Sequence, residues 1–116
     1  MEQALQITFR DFASSPGLEE SIRDRTRKLE RFHDHIVGCH VTVESRHHHH
    51  RKGNLFHVRI EVTVPTGEIV VSHDAHDQHA HEDVYVALRD AFDAARRQLD
   101  EHARRLRGEI KRHSYG

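Results

Sequence analysis

Residues 56–64 have the sequence FHVRIEVTV, in which apolar and polar residues alternate without a break. Successive side chains of a β-strand point to opposite faces of a sheet, so this pattern predicts a strand with one buried face. Such a strand is typical of an antiparallel sheet that covers one face with a core and leaves the other open. The stretch therefore predicts a fold built on a half-covered sheet.

Three further segments extend this sheet. Apolar residues alternate with polar ones over residues 5–9 and again over residues 39–43, which predicts one strand in each segment. Pro-Thr-Gly at 65–67 predicts a hairpin turn, and residues 68–73 form the expected fourth strand.

Two segments have helical spacing instead. Ser15 followed by Pro16 is typical of an N-cap with proline in the first turn. The stripe that follows predicts a helix that stops at Gly38, and it consists of Leu18, Ile22, Leu29, Phe32 and Ile36. A longer stripe predicts a C-terminal helix and consists of Val84, Leu88, Phe92, Ala95, Leu99, Ala103, Leu106 and Ile110. The order β-α-β-β-β-α predicts an α+β fold, a four-stranded sheet with both helices packed on one face.

The composition limits the class of protein. The chain has 116 residues, and we expect one domain over 1–116. No apolar run approaches the ~18 residues of a membrane helix, so no membrane partner is expected. The lone Cys39 leaves no intrachain disulfide and favours the cytoplasm. Neither a serine-nucleophile elbow nor a phosphate-binding loop is present, so we expect no enzyme.

Charge is segregated along the chain. Lys and Arg number 18 against 19 Asp and Glu, for a net charge of −1 with 14 histidines. Residues 45–52 and 102–113 are basic, whereas residues 73–83 are acidic and contain four of the histidines. Local patches steer partners more than net charge does, so the near-neutral total does not exclude RNA.

The arginines of the long helix allow two interpretations. Guanidinium groups match phosphate oxygens and could bind RNA. Alternatively, the polar face could be held by i,i+4 ion pairs, and this interpretation is favoured in the early turns. The candidate pairs are Asp93–Arg97, Asp100–Arg104 and Glu101–Arg105.

The acidic histidine loop suggests a different function. Two or three of its histidines could converge on Zn²⁺, Ni²⁺ or Cu²⁺, with nearby carboxylates as further ligands. The candidate ligands are His73, His76, His79 and His81. No HExxH or CxxC motif is present, and a solvated polar loop is the simpler interpretation. A histidine-rich metal-binding or metal-responsive protein is therefore the alternative hypothesis.

Three motifs resemble one known family. Residues 82–93 and 97–99 resemble the signature D-M-Y-A-A-I-D … D-K-L-x-R-Q-L, and residues 28–36 resemble K-L-E-x-Y-F-D-x-I. Pro-Thr-Gly-Glu at 65–68 resembles the hairpin turn of the same family. The chain is thus similar to the ribosome hibernation-promoting factor and ribosome-associated inhibitor family, also called sigma-54 modulation proteins, in its short form.

This resemblance implies a cytoplasmic factor that docks on the small ribosomal subunit and occludes the channel for mRNA and tRNA, without a cofactor. Family members use basic side chains of both helices on rRNA phosphates, and Arg25, Lys28, Arg97 and Arg105 match such positions. With the basic residues of the helical patterns added, the expected rRNA-binding residues are Arg23, Arg25, Arg27, Lys28, Arg96, Arg97, Arg104 and Arg105. A homodimer through the open sheet face or an edge strand is a further expectation.

Overall fold

The computed structural model of the protein describes the backbone of residues 5–47, 54–74 and 84–115 and the side chains within 5–45, 56–73 and 84–108. Its elements follow the predicted order, and they are β1 (Leu5–Arg10), α1 (Pro16–Phe32), β2 (Gly38–His47), β3 (Asn54–Val64), β4 (Gly67–Asp74) and α2 (Val84–Tyr115). The predicted α+β fold with a four-stranded sheet is therefore confirmed.

The sheet is mixed. Its strands lie in the order β1-β2-β3-β4, and β1 runs parallel to β2 while the other two pairs are antiparallel. Parallel neighbours need a crossover connection, and α1 provides it. In register, Ile7 pairs with Val41, Val41 with Ile60, and Ile60 with Val71, which aligns the apolar residues of all four strands in one row.

Both helices cover the same face of the sheet. The apolar row of the strands and the inner stripes of the two helices belong to one buried cluster. The largest fully buried side chains lie at its centre, and they are Ile22, Ile60, Leu88, Val41, Val43, Val58, Val62 and Thr26. Each buried Val, Leu or Ile contributes about 1.5–3 kcal/mol, so covering this face is the main stabilising term.

The start of α1 is as predicted, but its end is not. Ser15 caps the helix, because its Oγ accepts a hydrogen bond from the Leu18 N–H at 3.1 Å. The predicted stop at Gly38 is wrong, since α1 ends at Phe32 and His33 is already extended. The Val37 N–H donates to the Thr63 carbonyl at 2.8 Å. The connection between α1 and β2 thus follows the sheet before β2 begins, which the helical spacing could not indicate.

The helix α2 extends past the sheet. Its 32 residues span about 48 Å at 1.5 Å per residue, within a molecule 59 Å in its longest dimension. Leu99 is its last buried residue among the described side chains, and Ala103 and Leu106 are only partly covered. The turns after Leu99 therefore keep an apolar side without a full layer of sheet beneath it.

The buried thiol in β2 gives a test of the packing. Cys39 is 3% exposed, and burial together with the charge of Glu30 raises the pKa of its thiol from 9.0 to about 12. Because the thiolate is the reacting form, alkylation of the native protein by iodoacetamide should be about 10³-fold slower than in urea. Mass spectrometry of timed samples at pH about 8 measures both rates. Equal rates would contradict a covered apolar face on β2.

Candidate nucleic-acid interface

The polar sides of α1 and α2 point away from the sheet, because their apolar sides are buried against it. We call this surface the helix face. It carries every predicted rRNA-binding residue, namely Arg23, Arg25, Arg27, Lys28, Arg96, Arg97, Arg104 and Arg105. All of these are exposed except Arg25, which is partly buried.

The structure divides seven of these residues, all except Arg105, into three groups. Arg23 and Arg27 lie on the side of α1 near β1, in a depression that also includes Leu5 and Ile7. Arg97 and Arg104 lie on the outer side of α2, beside Glu101. The third group, Arg25, Lys28 and Arg96, lines the groove between the two helices. Helical spacing could not predict this third group, since it combines residues of two elements.

Arg25 occupies an unusual position in the interhelical groove. Its Nε is the one buried side-chain nitrogen or oxygen without a hydrogen-bond partner in the described part of the chain. Phe92 and Leu29 line the groove beside it. A buried polar group without a partner is unfavourable by about 1–3 kcal/mol. The guanidinium of Arg25 also has no ion pair among the described residues, so it is available to an anion.

Ion pairing separates the arginines of the helix face. Arg27 contacts Asp24 at 3.0 Å and Glu20 at 3.4 Å, and the hydrogen bonds to these two carboxylates raise its pKa. Arg105 is paired with Glu101. Within the described residues, five of the predicted arginines form no ion pair, and they are Arg23, Arg25, Arg96, Arg97 and Arg104.

One of the three predicted i,i+4 pairs forms. Glu101 and Arg105 are in contact, whereas Asp93–Arg97 and Asp100–Arg104 do not reach ion-pair distance in this part of the structure. Asp100 contacts His33 instead, with Oδ1 2.8 Å from Nε2. Of the three predicted pairs, Glu101–Arg105 is therefore confirmed and the other two are wrong for the described residues, and His33 competes with Arg104 for Asp100.

Several histidines connect neighbouring elements. His33 joins the end of α1 to Asp100 of α2, and His102 of α2 lies 2.9 Å from the Thr66 hydroxyl in the β3–β4 turn. On the open sheet face, His40 hydrogen-bonds to Thr8 at 2.9 Å. Sequence reasoning missed these roles, since each contact joins residues more than thirty positions apart.

The predicted metal ligands are mostly outside the described residues. His73 is described, and its Nε2 lies 3.9 Å from Asp90 Oδ2. His76, His79 and His81 fall in the segment 75–83, which the structure does not describe. Among the described residues, no group of three His, Cys, Asp or Glu side chains is placed to hold a metal ion. The metal-binding hypothesis stays a prediction from sequence.

The open sheet face balances part of its charge internally. Arg59 Nε donates to Glu61 Oε1 at 3.2 Å, and His40 Nδ1 lies 3.9 Å from the same oxygen. In contrast, Arg96, Arg97 and Arg104 of α2 lie on the helix face and form no ion pair among the described residues. The helix face is therefore the better candidate for binding a polyanion.

None of the described helices is both long enough and apolar enough to cross a membrane.

Comparisons with known proteins agree with this fold. Residues 5–107 match the model of the family described as Sigma 54 modulation protein / S30EA ribosomal protein. The ribosome hibernation promotion factor of Bacillus subtilis is 27% identical over 88 residues, which cover 76% of this chain and 42% of that protein. The chain thus spans less than half the length of this curated relative.

Two solved structures share the fold. A ribosomal subunit interface protein from Coxiella burnetii superposes with a TM-score of 0.68 at 18% identity, covering 85% of this chain and 96% of that one. The N-terminal domain of Protein Y from Thermus thermophilus gives a TM-score of 0.61 at 18% identity, covering 84% and 94%. Because the family model spans the strands and nearly all of the described helix face, the chain belongs to the Sigma 54 modulation protein / S30EA ribosomal protein family.

Proposed function

We propose that this protein is a ribosome-associated hibernation factor that docks its helix face on the rRNA of the small ribosomal subunit. The observation that carries the proposal is the set of arginines on that face that have no ion pair among the described residues, namely Arg23, Arg25, Arg96, Arg97 and Arg104. Membership of the family supports it, as do relatives named for ribosome hibernation and for the ribosomal subunit interface.

The chemistry of these side chains suits a phosphate backbone. A guanidinium presents several N–H donors in a planar fork that matches two phosphate oxygens. An arginine already paired with a carboxylate must exchange one ion pair for another, whereas an unpaired one gains a contact outright. Each neutralised phosphate also releases counterions, so the unpaired arginines would supply most of the affinity.

The mechanism that we propose is occlusion of the channel for mRNA and tRNA, with no bond made or broken. Inhibition of translation then depends on how tightly the protein binds the small subunit and on where it lies in the channel. Helices packed on a common core hold their basic side chains at fixed spacing, which reduces the entropy lost on binding. The proposed site of action is the cytoplasm, where ribosomes work.

Neutralising unpaired and paired arginines should have different effects. The variant Arg97→Gln with Arg104→Gln should bind purified small subunits more weakly, and the slope of log K against log salt should fall by about 2. The matched variant Arg27→Gln with Arg105→Gln removes the same charge but breaks existing ion pairs. It should leave the slope nearly unchanged.

Fluorescence anisotropy of labelled protein at several salt concentrations measures both slopes, and thermal melts show whether each variant is folded. Equal losses for the two variants would mean that only net charge matters. No loss for either would show that the helix face is not the contact surface.

Binding should also strengthen as the pH falls. Histidine gains positive charge between pH about 7.5 and about 6, and this chain has 14 histidines. We expect small-subunit affinity to rise over this interval, as measured by fluorescence anisotropy at several pH values. A flat or inverse response of the unmodified protein would contradict a role for the histidines.

A further inference from the structure

A second groove lies where α2 extends past the sheet. It is bounded by the α1–β2 connection, the β3–β4 turn and the turns of α2 after Leu99, and we call it the end groove. Its volume is ≈ 690 Å³, and small-ligand sites typically measure about 300–1,000 Å³. Apolar side chains line it, including Val64, Leu99 and Leu106.

Phe32 forms one wall of the end groove. Phe32 is 57% exposed, although it belongs to the predicted apolar stripe of α1. Arg96 Cζ lies over the ring, 3.6 Å from its centroid. Phe32 lines both the interhelical groove, which contains Arg96, and the end groove, which does not. Phe32 thus borders both grooves, and the Arg96 guanidinium covers one face of its ring.

The stacked guanidinium gives Phe32 a fixed orientation. A cation over an aromatic face is attracted by the ring electrons, and this contact restricts the rotation of the Phe32 side chain. An exposed aromatic ring held in this way is a preorganised platform for a flat partner, because little freedom is lost when the partner stacks on it.

Two guanidinium groups and two carboxylates line the end groove. Arg104 and Arg107 have no ion pair among the described residues. Each carboxylate contacts a histidine, since Asp100 lies 2.8 Å from His33 and Asp34 lies 3.4 Å from His35. The two arginines are therefore the charged groups of the groove that are open to a phosphate.

We propose that the end groove binds one unpaired RNA nucleotide, whose base stacks on Phe32 and whose phosphates contact Arg104 and Arg107. A nucleotide combines the two properties that the groove requires, a flat apolar surface and a flanking negative charge. Bases that have left a helix are recognised in this way, by stacking on an aromatic ring. Stacking tolerates any base, so the groove distinguishes unpaired from paired RNA without reading sequence.

This proposal rests on the proposed ribosomal function, but short RNA tests it separately. The full chain is titrated into labelled oligo(A) of eight nucleotides and into an abasic chain of the same length, and affinity is measured by fluorescence anisotropy. The native protein should bind oligo(A) about tenfold more tightly than the abasic chain. Phe32→Leu should remove this preference and leave the abasic affinity unchanged.

Two control variants isolate the stacking. Phe32→Tyr keeps an aromatic ring and should keep the preference for oligo(A). Val37→Ala removes another exposed apolar side chain, 53% exposed, and should change neither affinity. Arg107→Gln should weaken both affinities equally, since both chains carry phosphates.

Three outcomes would overturn the proposal. Equal binding of oligo(A) and the abasic chain by the native protein would show that no base is held. Equal weakening of both by Phe32→Leu would make Phe32 a purely structural residue. Capture of an acidic peptide in place of RNA would assign the groove to a protein partner.

If small subunits bind but the preference for bases is absent, the inference alone fails. If the preference is present but small subunits do not bind, the proposed function fails.

Discussion

The burial of a single sheet face is the constraint on which the rest of this structure depends. Strand register places the row Ile7, Val41, Ile60 and Val71 on one side, and polar residues alternate with it on the other. An apolar face of this kind must be covered, and both helices cover it. Their polar sides are then forced to point the same way. The sheet thereby brings basic residues of two distant segments onto one surface.

On that surface, pairing matters more than the number of charges. A chain with net charge −1 can still present unpaired guanidinium groups, because some of its carboxylates contact other side chains. Asp24 and Glu20 hold Arg27, Glu101 holds Arg105, and His33 takes Asp100 away from its i,i+4 arginine. We expect each remaining arginine to form an ion pair with an external phosphate without first breaking an existing one.

The fold could largely be predicted from sequence because its signals are local. Alternation over 56–64, the Ser15 cap and the long stripe of α2 each depend on neighbouring residues, and the structure confirms all three. The end of α1 was mispredicted, because Ile36 is buried at helical spacing yet lies in the connection. The arrangement of the site was not accessible from sequence. The stack of Arg96 on Phe32, the unpartnered Nε of Arg25 and the His33–Asp100 contact all depend on how α1 and α2 are packed.

The central claim is that the helix face contacts rRNA while the open sheet face points away from it. Cryo-electron microscopy of the protein bound to small ribosomal subunits tests this claim most directly. We expect α1 and α2 to lie against RNA, with the guanidinium groups of Arg25 and Arg96 within hydrogen-bond distance of phosphate oxygens. Density that places the sheet face on the RNA, or the helices toward solvent, would contradict it.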